Sequence, residues 1–292
     1  AVRFAAKLSP LGFKLEAKTA KPLTQSATLL ADVPQSRLFD EMLKLLQTGH
    51  ALASIAQLKN LGLATGIYPL LDVVVERADS AFVQVALADT DRRVGEGKPV
   101  APSFLLACVL WADVREGWAK RLARKEHPHP ALQDAIDEVF DARIGDVSGR
   151  GKLAADMREI WIMQPRFEKR VGSTPFGLVE QPRFRAGFDF LRLRADIAEV
   201  DERLADWWQE FSMASDAERE DLVQAAKAEQ QATQAAKPRV RRAPRPEGAP
   251  APAESRPAAE ADTSDEGAAK KRRRRRRKPG AGDQAGDGGS AA

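Results

Sequence analysis

The sequence predicts an all-α protein: two helical regions followed by a disordered basic tail. Three observations carry that prediction. Apolar residues recur at helical spacing through most of residues 1–211. No alternating strand pattern and no Asn-Gly hairpin turn occurs. Beyond Ser212 large apolar side chains almost vanish, giving way to Ala, Gln, Pro, Gly, Arg and acidic residues. Such a stretch buries too little surface to offset the entropy of ordering it, so residues 212–292 are expected to be disordered.

The first region, residues 1–62, opens on Ala1-Val-Arg-Phe-Ala-Ala-Lys-Leu8. This is an apolar and basic helical pattern with no capping residue ahead of it, and the helix is expected to begin upstream of Ala1. Pro10, Gly12 and Pro34 divide the rest of this region into separate helices. Ser36 is the expected N-cap of a helix carrying Leu38, Met42, Leu45 and Leu46 on one face, and Gly49 and Gly62 stand where helices end. The second region, running to Glu126, holds helical segments at Pro69–Arg77, Ala81–Ala88 and Ser103–Leu122, with Gly95–Pro99 as the loop between the last two. The β propensity of Val73–Val75 yields to this context. From Pro130 onward the pattern gives Ala131–Ala142, Lys152–Gln164, a short Thr174–Val179, and one long element, Pro182–Phe211. The apolar face of that last element is Phe184, Phe188, Leu191, Ala195, Ala198 and Leu204. No repeat of fixed period is present.

Charge divides the chain at the same place. Residues 1–211 hold 29 basic and 29 acidic side chains and residues 212–292 hold 17 and 13, so the net +4 belongs wholly to the tail. Affinity for polyanions inferred from overall charge is therefore a statement about the tail. The single cysteine, Cys108, lies in the apolar run Phe104–Trp111, which excludes an internal disulfide and fits a cytoplasmic setting. That run is too short to span a bilayer, so no membrane partner is expected.

The common catalytic signatures are missing: Gly-rich phosphate loops, paired-Cys knuckles and Ser-centred elbows. Asp89-Thr-Asp91 is an Asp-x-Asp pair, but it follows an apolar helix and runs into Arg92 and Arg93, which predicts a charged helix-terminal turn rather than a metal pair. His127-Pro-His-Pro130 is expected to be an extended surface loop, with only His50 and Cys108 as further soft ligands. No catalytic residue and no metal ligand is expected. The stretch Arg158–Arg194 is more informative, with eight Lys or Arg against four acids, interleaved with Trp161, Phe167, Phe176, Phe184 and Phe188. Two readings stand at this point. Guanidinium groups can take phosphate while aromatics stack on bases; alternatively the aromatics are core and the arginines a solvated face. In the tail, Lys270–Lys278 and the patch Lys237–Arg245 are dense positive charge suited to binding polyanions through counterion release, with a solubility tail and a contact to membrane lipid as the other readings of the arginine run.

The opening Ala1–Leu8 is similar to the end of the signature Asp-Pro-x-Arg-x-Leu-Arg-Ala-x-Arg-Phe of class II nucleotidyltransferases, the tRNA CCA-adding enzymes and bacterial poly(A) polymerases. Three further segments resemble the poly(A) polymerases in order and approximate separation. They are Pro34-Gln-Ser-Arg-Leu-Phe-Asp-Glu-Met-Leu-Lys-Leu-Leu-Gln47, Pro102-Ser-Phe-Leu-Leu-Ala107 before Trp111, and Glu180-Gln-Pro-Arg-Phe-Arg-Ala-Gly-Phe-Asp-Phe-Leu-Arg-Leu-Arg-Ala195. The resemblance implies an RNA-binding helical neck at 1–62, a helical body at 63–211, and a basic tail at 212–292. It implies RNA contacts from Arg3, Lys7, Arg37 and Lys44 in the neck, and from Arg158, Arg166, Arg170, Arg183, Arg185, Arg192 and Arg194 in the body. Beyond residue 211 the resemblance is one of composition, and Arg272, Arg273, Arg274, Arg275, Arg276 and Arg277 are candidate RNA contacts by their charge. Several of these could instead pair with Glu41, Glu159 or Asp189. An intact relative would transfer AMP from ATP to an RNA 3′ end using Mg2+. The family's Gly-Ser turn, metal carboxylates and Glu-Asp-x-x-Arg element are expected upstream of Ala1, so this stretch alone is expected to be inactive and to bind no cofactor. The implied partners are single-stranded RNA 3′ ends and, through the tail, RNA-degradation or RNA-chaperone proteins. A CCA-adding enzyme body, against which the tail speaks, and a non-enzymatic RNA-binding protein are the alternatives.

Overall fold

The structure, a computed structural model, describes Leu8 and residues 12–63, 65–144 and 151–236. Among the described residues are twelve α-helices and no strand. Helix α1 (Ala17–Gln25) leads into a 3-10 segment, Ser26–Asp32, and is followed by α2 (Gln35–Leu46), α3 (Ala51–Asn60), α4 (Pro69–Arg77) and α5 (Ala81–Gly95). The long α6 (Pro102–Ala123) precedes α7 (Pro128–Val139), which ends in a π turn over Phe140–Ile144. Then come α8 (Gly151–Phe167), α9 (Thr174–Val179), α10 (Phe184–Asp196), α11 (Glu202–Met213) and α12 (Asp216–Ala236).

Proline sets several starts. Pro69, Pro102, Pro128 and Pro175 occupy the first turns of α4, α6, α7 and α9, where a missing N–H is harmless and the fixed φ favours helix. At the other ends Gly62 takes φ +67° after α3, the left-handed backbone that terminates a helix.

Helix α6 is the axis of the fold. Every residue from Ser103 to Trp111 is buried, as a helix apolar on all sides must be. Helices α7 and α8 pack along it, and the Trp161 indole of α8 donates to the Ala107 carbonyl of α6 at 3.1 Å. The first core gathers Phe39, Leu46, Val74, Trp111, Trp161 and Phe190. A second core holds Phe167, Phe184, Phe188, Trp208 and Phe211, with Val223 and Ala226 of α12. Helix α10 serves both, because Phe190 and Leu193 face the first and Phe184, Phe188 and Leu191 the second. Its Gly187 lets α8 approach: a Cβ there would lie 2.8 Å from the Met163 sulfur.

The all-α expectation holds among the described residues, and most elements fall where the apolar spacing put them. Four boundaries differ. Ser36 lies inside α2, and Pro34 takes the N-cap position. Helix α5 runs on to Gly95 because Arg92 and Arg93 pair with Asp89 and Glu96 at helical spacing, turning an expected end into a continuous charged turn. The expected loop His127–Pro130 is instead the N-cap and first turn of α7. The long element is cut in two where Ala198 takes φ +57° and Asp201 accepts from the Arg203 N–H to start α11.

The disorder expected from 212 is corrected as far as Ala236. Ser212 and Met213 end α11, and Asp216–Ala236 is helix, anchored by Val223 and Ala226 at 6% and 5% exposure. With the partly buried Leu222 they are the few apolar groups that pack this otherwise polar helix on the second core, helped by the polar ties of Arg219 and Glu229, a signal too sparse to show in composition. Residues 237–292 lie outside the described residues, as do Arg3 and Lys7, so the expected tail contacts of Lys237–Arg245 and Arg272–Arg277 fall there too.

Candidate nucleic-acid interface

The interleaved aromatics of residues 158–194 resolve into core. Trp161 and Phe167 are fully buried, Phe188 is 1% exposed and Phe184 8%. Phe184 stacks on Phe188 at 6.0 Å, and Phe176, half-buried, meets Phe211 edge-on at 5.4 Å. Base stacking is therefore excluded for the four buried rings, and the alternative reading of the cluster prevails for them.

The arginines sort by what they touch. Arg194 is structural: its side chain is 11% exposed, its Nε donates to Glu199 at 2.8 Å, and its guanidinium covers Trp111 at 5.0 Å. Glu199 also accepts from the Trp111 indole at 3.0 Å and from Arg115 at 2.8 Å, while Arg194 reaches Gln164 at 3.1 Å. Burial pushes the Arg194 guanidinium below its ordinary range, and Glu199 opposes that shift. Arg158 pairs with Asp137 and lies over Phe140. Arg170 pairs with Glu229 at 3.1 Å and Arg183 with Asp156 at 2.6 Å. Arg185 reaches Asp189 at 3.0 Å, and the same carboxylate accepts from Arg93 at 2.8 Å. Lys44 pairs with Glu41 at 2.9 Å across an exposed turn. Arg37, Arg166 and Arg192 have no ion pair among the described residues.

Two exposed basic stripes result, each joining an arginine with no ion pair among the described residues, Arg37 or Arg192, to a paired cation, Lys44 or Arg185. Arg37 and Lys44 stand seven residues apart on α2, hence on one face and about 10 Å apart along the axis. They border a groove of about 760 Å³ with an aliphatic lining that includes Leu30, Leu38 and Leu58, and with Asp40 and Glu41 on its rim. Arg185, 71% exposed, and Arg192 have the same spacing on α10. Arginine and lysine at that spacing offer oriented donors to successive phosphates.

The carboxylates that could suggest metal chemistry are committed elsewhere. Asp91 caps α3 from a distance, accepting from the Ala51 N–H at 2.7 Å and the Leu52 N–H at 3.4 Å. Its carboxyl is raised by burial, against the pull of those two N–H groups and His50. Asp89 is held by Arg92 and Arg93. The pair therefore does not fit a metal, and among the described residues no cluster of three or more His, Cys, Asp or Glu is placed to hold one. Sequence reasoning expected the charged turn in which Asp89 meets Arg92 and Arg93 but missed the role of Asp91, because capping across 40 residues leaves no local signal. Burial raises the Cys108 thiol well above its ordinary value, which leaves it unreactive.

The sequence matches known protein families in two stretches. Residues 12–74, which contain the α2 stripe, match the family described as "Probable RNA and SrmB- binding site of polymerase A". Residues 124–246, which contain the α10 stripe, match "Polymerase A arginine-rich C-terminus". Among whole proteins, the chain is 35% identical over 231 residues to a protein of Haemophilus influenzae named Poly(A) polymerase I, covering 76% of this chain and 50% of that one. A protein of the same name from Salmonella typhi is also 35% identical over 231 residues, covering 76% and 49%. A third from Escherichia coli O157:H7 is 34% identical over 257 residues, covering 85% and 54%. The chain spans about half the length of the curated relatives it matches.

Proposed function

The chain belongs to the poly(A) polymerase I family, and we propose that it supplies the part of such an enzyme that holds an RNA 3′ end while AMP is added from ATP. The observation that carries this reading is the pair of family matches, in order, on one helical unit. The α2 and α10 stripes support it as phosphate-binding faces. In this reading residues 1–62 act as a neck and 63–211 as a body. The helix after 211 extends the body, and the basic stretch beyond Ala236 adds polyanion contact.

Holding is the chain's whole part in this reading. The complete enzyme would use Mg2+ to stabilise the attacking and leaving oxygens, but Asp89 and Asp91 are occupied elsewhere and no step is routed through them. What these residues do is grip phosphates through Arg37, Lys44, Arg185 and Arg192, so that the strand is retained without its bases being read. Any sequence indifference follows from the absence of the buried rings from that surface. Among the described residues no helix is long and apolar enough to cross a membrane, and we place the work in the cytoplasm, with single-stranded RNA as the partner and RNA-degradation or RNA-chaperone proteins as partners of the basic stretch.

The test is a fusion. Joined behind the amino-terminal half of the Haemophilus influenzae relative, the chain is expected to support growth of an A homopolymer on labelled RNA with ATP and Mg2+. Addition of a single CCA would overturn the reading in favour of a CCA-adding body. Failure to extend an RNA that the chain nonetheless binds would favour a non-enzymatic binding protein.

A further inference from the structure

The α11–α12 hairpin has the wrong charge for RNA. Residues 201–229 carry nine acidic side chains against three basic. One of the three, Arg219, is spent internally: it donates to the Phe211 and Ser212 carbonyls at 3.0 and 3.2 Å and covers the Phe211 ring. Between the two helices lies a groove of about 500 Å³ lined by the apolar Met213, Leu222 and Ala225 and by the carboxylates of Glu210, Glu218 and Asp221. No basic side chain among the described residues lines it. Met213 is 78% exposed, the highest exposure of any large apolar residue described.

Each feature selects against some occupants. A polyanion is repelled by three carboxylates, and Glu218 stays ionised because the Ser215 N–H and hydroxyl hold its carboxyl below the ordinary range. A purely polar cation would leave Leu222 and Met213 uncovered. A flexible thioether in the lining adapts to an apolar side chain of variable shape. Helix α12 turns Val223 and Ala226 to the second core and its Glu229 to Arg170, and Leu222 packs against that core in part and lines the groove with the rest of its side chain. We infer that this groove is a docking site for a cationic amphipathic segment of a partner protein, with an apolar side chain against Met213 and Leu222 and Arg or Lys against Glu210, Glu218 and Asp221. It shares no lining residue with the basic stripes, so the partner and RNA need not compete for the same side chains, each being held by the charge it needs.

The full chain tests this with a fluorescein-labelled synthetic peptide of about sixteen residues, leucines at helical spacing on one face and arginines on the other. Fluorescence anisotropy is expected to show saturable binding that Glu210→Lys with Asp221→Lys weakens about tenfold or more, while affinity for labelled single-stranded RNA does not fall and the circular dichroism stays helical. Met213→Ser is expected to weaken the peptide several-fold without touching the charges. The inference is overturned if the peptide does not saturate the full chain, or if the charge reversals leave its affinity unchanged. It is also overturned if a scrambled peptide of equal charge, with no apolar face, binds as tightly, since the apolar groove would then contribute nothing.

Discussion

Arg192 and Arg194 sit two positions apart on α10 and have opposite fates, which no local pattern announces. Arg194 points into a buried network that joins α6, α8 and the turn after α10 through Glu199, Trp111 and Gln164. Arg192 is exposed and has no ion pair among the described residues. Both are legible in the sequence as basic residues on a helix. Their roles depend on the left-handed Ala198, which turns the chain so that Glu199 comes back beneath the helix. The two are therefore expected to separate cleanly on substitution. Glu199→Ala strands a buried guanidinium and the Trp111 N–H, and should cost about 3–5 kcal/mol of stability in urea unfolding. Arg192→Ala should change stability by no more than about 0.5 kcal/mol but weaken single-stranded RNA binding by about 1 kcal/mol. An RNA affinity indifferent to Arg192 would remove α10 from the binding surface.

Helix α12 shows what an element needs in order to dock. Its 21 residues are dominated by Ala, Gln and acids, good helix formers with little to bury, and it is held to the second core by Val223 and Ala226. A helix so lightly anchored should open locally before the molecule unfolds, so its amides are expected to exchange with deuterium faster than those of α6, where nine successive residues are buried. Val223→Asp places an unpaired carboxylate in that contact. It should accelerate exchange across α12 by about tenfold or more while α6 keeps its protection; cooperative loss of protection in both would mean α12 is integral to the fold. The same physics explains which elements the sequence reveals. Helices α4 and α6 announce themselves by dense apolar runs and proline starts, and α9 matches its expected bounds, Thr174–Val179. Composition hides α12 because only Leu222, Val223 and Ala226 among its side chains pack on the second core. The extension of α5 to Gly95 is hidden in a different way, since ion pairs rather than burial sustain it.

At the scale of the whole chain, extending the folded part to Ala236 sharpens its polarity. Residues 1–236 hold 31 basic and 34 acidic side chains, and residues 237–292 hold 15 and 8. A body of net negative charge cannot attract RNA from a distance, so long-range attraction has to come from the basic stretch, and the α2 and α10 stripes act only at contact. These two terms differ in their response to salt. Phosphates neutralised along a strand release counterions, and the slope of log K against log salt changes by about 0.7 for each such contact on single strands. Deleting residues 237–292 removes all 15 of those cations and none of the packing described in α1 to α12. The truncated chain is expected to bind single-stranded RNA more weakly, with a slope flatter by several contacts, while retaining a residual affinity that depends little on base sequence. Arg37→Ala with Arg192→Ala, made in the truncated chain, should then lower that residual affinity by about 1 kcal/mol for each charge-assisted hydrogen bond to phosphate that is removed. RNA titrations at several salt concentrations measure both quantities. A salt slope unmoved by the deletion would show that the basic stretch does not touch RNA. A residual affinity unmoved by the double substitution would place the body's contact on a face other than these two stripes.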